Sequence, residues 1–458
     1  MAWLQTIKGP IRSTHRMADD NSSNNQANVP KGRLSRLSKL GSLASRVAGN
    51  MLAEGISEFA KGNRPQLKDL LLTPANTLRV ADQLAQMRGA AMKVGQLISM
   101  DAGDMLPPEL SDLLARLRSD AKSMPHKALL ALLEDEWGKN WREAFIQFPL
   151  EPIAAASIGQ VHKVITQDLK RLALKIQYPG IKQSINSDVD NVATLIKMTG
   201  LLPKNLQIKP LLAAAKQQLH EEADYLLEAR RMQQYTEVIA DDEAFIMPQV
   251  DEQFSTANVL AMTFLDGVPI ESLISAPQVT RDYVASQLLR LFFKELFDFR
   301  LMQTDPNFAN YQYDPDNNKI VLLDFGATRE FPAEMVEAYL HLLQGAYQQD
   351  KAAVAFAALE IGLSSEALGP NVQDVVSELC FQACEPLYAA SPYDFANTDL
   401  ARRLHEQGMA LGLEKTYAHT PPIDAIFLHR KIGGLFLLAI KLKAKIDVKA
   451  LFAPYANR

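Results

Sequence analysis

Two cysteines in 458 residues, Cys380 and Cys384, are too few for a disulfide scaffold. At i and i+4 they would share one helix face, where disulfide geometry is poor, so packed thiols of a reducing compartment are expected. An excess of charge is also lacking. Lys and Arg number 48 and Asp and Glu 53, a formal net charge of −5, which argues against a dedicated nucleic-acid binder. No uncharged apolar run approaches the roughly 18–20 residues that cross a bilayer. The longest near the C-terminus, 432–440, is bounded by Lys431 and Lys441. No secretory apolar core follows the start, so export is not expected. No internal repeat of roughly 20–50 residues recurs. His162, His220, His341 and His429 lack metal-ligand spacing and are expected to be structural. What is present is ordinary for a globular protein: 47% hydrophobic and 22% charged residues. The length suggests about three units of roughly 150 residues and a core that needs no disulfides or metals.

The chain changes texture along its length. Residues 1–30 read as disordered or leader-like, because the stretch from Asp19 to Asn28 is polar throughout and cannot bury apolar surface. Lys8, Arg12 and Arg16 precede it with no acid, as a presequence would, although Asp19 and Asp20 end that stretch early. Residues 31–125 read as a helical extension. It opens with Lys31, Arg33, Arg36 and Lys39, followed by Leu40, Leu43, Val47, Met51, Leu52, Ile56 and Phe59 at helical spacing. That stripe suits either an anionic membrane surface or packing on the protein itself. Met87, Met92, Met100 and Met105 read as core filler or as the lining of an apolar lipid path. Residues 126–265 read as a small strand-rich lobe with inserted helices: helical over about 126–148, strands over 151–177, one helical stretch over 211–239, then strands near 245–250 and 258–264. Residues 266–458 read as a large helical lobe, interrupted at 303–310 and 320–324. Segregated helices and strands in this order predict an α+β fold.

Three separated segments carry chemistry. Asp305 and Asn310 have the D-x-x-x-x-N spacing of a kinase catalytic loop, and Asp324-Phe325-Gly326 follows a short apolar run as the metal-binding DFG of such folds does. Phosphoryl transfer needs positioning and charge neutralisation, and Mg²⁺ takes oxygen ligands such as an Asp carboxylate and an Asn amide. Asp305 can then accept a proton or orient a hydroxyl or water. Lys175 sits on an expected strand, where a phosphate-contacting lysine falls, and the acidic stretch 221–228 can supply its partner. Ala154, Ala156, Gly159 and Val161 occupy the positions of G-x-G-x-x-G-x-V, with alanine at two glycine positions. β-Carbons there restrict the backbone, so this loop should be stiffer than a glycine loop.

These motifs resemble the UbiB family of atypical protein-kinase-like proteins, in its coenzyme Q-associated branch. KVGQ at 93–96 is similar to the family's KxGQ signature, AAAS at 154–157 to its alanine-rich loop, and EAD at 222–224 to its ExD motif. QTDPNFAN, LLDFGATRE and LHRKIGG at 428–434 resemble its catalytic, metal and C-terminal segments. The resemblance implies a protein-kinase-like two-lobe fold with an added helical N-terminal extension. It implies that Lys175 contacts nucleotide phosphates and pairs with Glu228, that Asp305 is catalytic, and that Asn310 and Asp324 hold Mg²⁺. It implies a nucleotide site formed by Ala154, Ala155, Ala156, Ser157, Gly159, Val161 and Lys175. A hinge over 260–265, including Met262 and Phe264, would read adenine through its backbone. Lys93 would pair with Glu222, with Gln96 and Asp224 beside them over the active site. On one continuous helix, Glu222 and Glu228 would point about 120° apart, toward different partners. Gln303 stands where kinases usually carry His.

The function so implied is an ATP- and Mg²⁺-dependent atypical kinase-like ATPase supporting ubiquinone biosynthesis at a membrane surface. ATP or ADP and Mg²⁺ would be its cofactors. An isoprenoid or quinone-like lipid and ubiquinone-biosynthesis proteins would be its partners, with no nucleic acid. A small-molecule or protein kinase and a nucleotide-gated scaffold remain alternatives. The expected location is a cytoplasm with peripheral attachment to the inner membrane, or else the mitochondrion. The C-terminal lysines Lys431, Lys441, Lys443 and Lys445 read as a solvated face.

Overall fold

In the computed structural model, residues 87, 89–91, 93–95, 123–199, 208–413 and 421–458 are described. The basic amphipathic stretch after Lys31, the helical pattern over 108–118, Gln96, and Met92, Met100 and Met105 lie outside them.

Helix α1 (His126–Trp137) buries Leu129 and Leu133, one turn apart, and stops at Gly138, whose φ of 82° a side chain would resist. The helix expected to reach residue 148 therefore ends eleven residues early. Trp141–Ala144 form a 3₁₀ turn, and strand β1 (Phe145–Gln147) follows. Strands β2 (Ala154–Ala155), β3 (Gly159–Thr166), β4 (Arg171–Gln177) and β6 (Val259–Thr263) join β1 in an antiparallel sheet ordered β1-β3-β4-β6, with β2 paired to β3. One face of this sheet meets α1 and the rings of Trp137, Trp141, Phe145 and Phe254.

Helix α2 (Ile181–Thr199) was not legible as such, yet Ile185, Val189, Val192 and Ile196 recur at helical spacing and are all buried. The stretch read as one helix over 211–239 is two: α3 (Ile208–Glu222) and α4 (Tyr225–Ile239). Asp224 breaks the run by capping α4, its carboxylate accepting the Leu227 N–H at 3.0 Å. Glu222 and Glu228 therefore belong to different helices, and their separate directions come from this break rather than from rotation along one helix.

Strand β5 (Phe245–Ile246) runs parallel to β10 (Lys319–Leu322) in a second sheet, ordered β5-β10-β9-β7, with β7 (Val268–Pro269) and β9 (Tyr311–Asp314). A short ladder pairs β8 (Leu301–Gln303) with β11 (Thr328–Glu330). The large lobe packs around α5 (Gln278–Lys294), whose Val284, Leu288, Leu291 and Phe292 are buried. Around it stand α6 (Ala333–Tyr347), α7 (Lys351–Ile361), α8 (Pro370–Ala383), α9 (Glu385–Tyr388), α10 (Leu400–Leu413), α11 (Ile423–Lys441) and α12 (Val448–Phe452). Strands β12 (Tyr393–Asp394) and β13 (Lys445–Ile446) pair beside them. Among the described residues no helix is long and apolar enough to cross a membrane. The two thiols are free, Cys384 is buried, and burial pushes the Cys380 thiol up to about 12.

Candidate active site

The period-two alternation of β4 sends Leu172, Leu174 and Ile176 into the small-lobe core, each fully buried, and leaves Ala173 and Lys175 on the opposite face. There the register sets Val161 opposite Lys175 and Met262 opposite Ala173. Lys175 Nζ donates to both Glu228 oxygens, at 2.8 and 2.9 Å, and to Asp324 Oδ2 at 3.3 Å. Glu228 is almost wholly buried, and burial pushes its carboxyl up to about 7 against the pull of Lys175. Burial also works against the Lys175 charge, but Asp324 and Glu228 outweigh it and hold the ammonium well above the usual lysine value. Asp324 keeps 36% of its side-chain surface. Its Oδ1 accepts the Gly326 N–H at 3.0 Å, and its carboxyl stays below the ordinary range because Lys175 and that N–H overcome the cost of burial.

Two loops bring the remaining groups to the same place. Thr304 donates its hydroxyl to the Ala327 carbonyl at 2.7 Å, and Leu323 N–H donates to the Asn310 carbonyl at 3.0 Å, so the loops after β8 and β10 are stitched together. Asn310 Nδ2 donates toward Asp305 O and Oδ2, each at 3.3 Å. With its nitrogen so committed, Asn310 has its amide oxygen for a cation. Asn310 and Asp324 line one small cavity with Gln303 and Lys431. A carboxylate and an amide oxygen are hard donors that fit Mg²⁺, which keeps several waters and takes further ligands from phosphates. Among the described residues there is no cluster of three or more His, Cys, Asp or Glu, as an all-protein metal cage would need.

Two cations on α11 were missed by the sequence reading. Arg430 donates to Asp305 Oδ1 at 2.5 Å, so both carboxylate oxygens of Asp305 are held. Lys431, expected on a solvated face, is 2% exposed. Its Nζ donates to Gln303 O at 2.7 Å, Gln303 Oε1 at 3.1 Å and Tyr311 OH at 2.9 Å, and lies 3.4 Å from buried Glu295. Gln303, in the place of the kinase His, donates Nε2 to the Asp305 carbonyl at 2.9 Å. The signal for these cations was their spacing with Gly434: residues 430, 431 and 434 fall on one helix face. A β-carbon on Gly434 would collide with Pro306. The other three lysines remain exposed.

The alanine segment is the tip of the β2–β3 hairpin. Ala154 pairs with Val161 and Ala155 with Gln160, and Ala156 N–H donates to the Gly159 carbonyl at 2.9 Å. The tip is held from outside. Ser157 donates to Glu222 at 3.0 Å, Ile158 is buried, and a β-carbon on Gly89 would press on Ile158 and the Ser157 carbonyl. Lys93, 4% exposed, forms an ion pair with Glu222. Gly159, expected for close approach to phosphate, is buried, and a β-carbon there would strike the Ile176 carbonyl and the Tyr225 hydroxyl. Packing of β3 on β4 and α4 therefore requires this glycine. Asp224 caps α4 and is engaged with Leu227 N.

The expected hinge over 260–265 begins inside strand β6. Val259–Thr263 are strand, laddered to β4 on one side, while Asp251 N–H donates to Ala261 O and Thr263 N–H to Gln249 O on the other. Phe264 N–H donates to Arg171 O. The Thr263 and Phe264 N–H groups are thus both taken up within the protein. The Phe264 ring centroid lies 3.9 Å from Lys163 Nζ.

The family model for the ABC1 atypical kinase-like domain matches residues 116–358. The chain is 36% identical over 428 residues to "Atypical kinase COQ8, mitochondrial" of Saccharomyces cerevisiae, covering 93% of this chain and 85% of that protein. It is 37% identical over 432 residues to "Atypical kinase COQ8B, mitochondrial" of Rattus norvegicus, covering 94% and 81%. Among solved structures, Rv3197 of Mycobacterium tuberculosis, determined as a complex with erythromycin, superposes with a TM-score of 0.59 at 24% identity, over 85% of this chain and 98% of that one. That likeness bears on the fold alone.

Proposed function

The chain belongs to the ABC1 atypical kinase-like family, and from that premise we propose that it is an ATP- and Mg²⁺-dependent atypical kinase-like ATPase that supports ubiquinone biosynthesis at a membrane surface. One observation carries the reading. Lys175, Glu228 and Asp324, up to 149 positions apart, meet within hydrogen-bond distance, and Asp324 lines one small cavity with Asn310, whose side chain donates to Asp305. A lysine held by one buried carboxylate and facing a second, more exposed one is the arrangement that orients a triphosphate beside a metal.

In this reading Lys175 binds nucleotide phosphates, and Glu228 fixes its direction. Asp324 and Asn310 hold Mg²⁺, which when bound neutralises charge on the phosphates. Asp305, oriented by Arg430 and Asn310, accepts a proton from the attacking water or hydroxyl. Val161, Ala173 and Met262 form the apolar face on which a base lies. Ala154, Ala155, Ala156 and Ser157 form the cover over the phosphates. Its tip is tied to Glu222, and through Glu222 to Lys93, and this restraint favours water over a protein as acceptor. Gln96 would act beside Lys93.

Mitochondrial relatives support either a mitochondrial or a peripheral inner-membrane location. An anionic lipid surface and an isoprenoid or quinone-like lipid are the proposed partners. Phosphate release by purified protein, with and without anionic vesicles and a quinone-precursor mimic, tests the reading. Wild type should release phosphate from ATP only with Mg²⁺. Asp305→Asn keeps the shape of the side chain and loses its basicity, so it should abolish release while ATP binding persists. Wild-type turnover in Asp305→Asn would remove Asp305 from the chemistry.

A further inference from the structure

Arg231 lies one helical turn after Glu228 on α4, facing the metal loop and the end of α3 at once. Its Nη1 donates to the Gly326 carbonyl at 2.9 Å, and its Nη2 to Glu221 Oε2 at 2.8 Å. Gly326 is the residue whose N–H holds Asp324 Oδ1. Glycine crosses between backbone conformations more freely than any other residue, so an unanchored Gly326 would let that N–H leave the carboxylate. Its carbonyl is the handle that prevents this. Glu221, at the other end of the guanidinium, is the neighbour of Glu222, which receives both Lys93 and Ser157. The last two residues of α3 thus carry two ion pairs side by side. One reaches the extension and the alanine hairpin, and the other reaches the metal loop.

We propose that Arg231 is a positioning residue of the metal loop. Through Glu221 it links the docking of Lys93 on Glu222 to the orientation of Asp324, and so to metal affinity. The proposal deepens the nucleotide reading above and rests on it for the metal, but the link itself is a property of the protein without ligand. Arginine suits the task because its planar fork places donors on separate nitrogens, here Nη1 toward Gly326 and Nη2 toward Glu221, in a rigid geometry that the single flexible ammonium of a lysine lacks.

The test has two readouts. Site-resolved hydrogen exchange at the Gly326 amide, on the full chain without nucleotide, reports the bond to Asp324 directly. Mg²⁺ titration at fixed ATP reports the consequence. Arg231→Gln should speed Gly326 exchange roughly five- to tenfold, as expected of a coupling of ordinary size, with exchange in α5 unchanged. It should raise the Mg²⁺ half-saturation by a similar factor while leaving ATP affinity at saturating Mg²⁺ nearly constant. Arg231→Lys should fall between, and Glu221→Gln should follow Arg231→Gln in direction. Lys93→Met should speed Gly326 exchange in the wild-type background and add nothing to Arg231→Gln, because both act through one path. Unchanged Gly326 exchange in Arg231→Gln and Glu221→Gln overturns the positioning role. A Lys93→Met effect that is absent, or that adds fully to Arg231→Gln, overturns the link. If wild type binds no ATP with Mg²⁺, the functional reading fails, while the exchange measurements still decide the role of Arg231.

Discussion

Replacing Lys431 by Met tests the buried frame under the catalytic loop. Lys431 and Glu295 are 2% and 0% exposed, and the two charges compensate each other 3.4 Å apart. Burial raises the Glu295 carboxyl above its ordinary value even with Lys431 present. Without the ammonium, Glu295 retains, among the described residues, the Tyr235 hydroxyl at 2.8 Å and the Gln303 N–H at 2.9 Å. Breaking such a pair from one side costs about 3–5 kcal/mol. The cost should depend on pH with a definite sign. A carboxyl raised in the folded state binds a proton that the unfolded chain releases, so stability falls as pH rises from the unfolded value toward the folded one. With Lys431 gone the folded value rises further, and the deficit relative to wild type should grow by about 1.4 kcal/mol per pH unit between the wild-type and mutant folded values. Urea unfolding followed by far-ultraviolet circular dichroism at pH 5.5 and 7.5 measures this. Tryptophan emission would miss it, because the three tryptophans, Trp3, Trp137 and Trp141, all precede the large lobe. Lys431→Met with Glu295→Met should recover most of the loss, since a packed apolar pair replaces a buried ionic one at little cost. A single-mutant loss below about 1 kcal/mol, or one identical at both pH values, would refute the reasoning.

Three further outcomes are expected. Asp242 joins α4 to α5 through Arg290 at 2.6 and 2.7 Å and Lys294 at 2.9 Å, and despite burial these cations hold its carboxyl down to about 2. Its contribution is present above the unfolded value near 4 and lost as pH falls through 2, so Asp242→Asn should cost about 2 kcal/mol at pH 7 in urea unfolding and almost nothing below pH 2. Gly434→Ala drives a methyl into Pro306, so phosphate release should fall at least about tenfold, with ATP affinity changed less, as expected when a loop beside the chemistry shifts by a fraction of an ångström. Ala156→Gly should change the ratio of ATP to ADP affinity several-fold in calorimetric titration, whereas Ala173→Gly should not. Equal ratios would assign the alanine to packing of the hairpin.

Local spacing carried what the sequence alone could determine. The run 319–322 before Asp324, the interval from Asp305 to Asn310, and the alternation that turns Lys175 away from Leu174 and Ile176 are properties of a few consecutive residues. Backbone geometry at short range makes them readable. The mixture of strands and helices that makes an α+β fold was readable for the same reason, and the family's motifs marked Lys93 and Glu222 as a pair. Tertiary structure decided the rest. A lysine three places from a glycine on an amphipathic helix looks solvated until Gln303, Tyr311 and Glu295, more than 100 positions away, close around it. Gly159 looks like a phosphate-loop glycine until the Ile176 carbonyl and Tyr225 hydroxyl occupy the space of its missing side chain. Residues 260–263, part of the hinge expected over 260–265, look like open backbone until β4 and the chain at 249–251 take up groups among them. In each case the deciding quantity is burial or the commitment of a polar group. Both depend on partners that only the folded chain brings within a few ångströms.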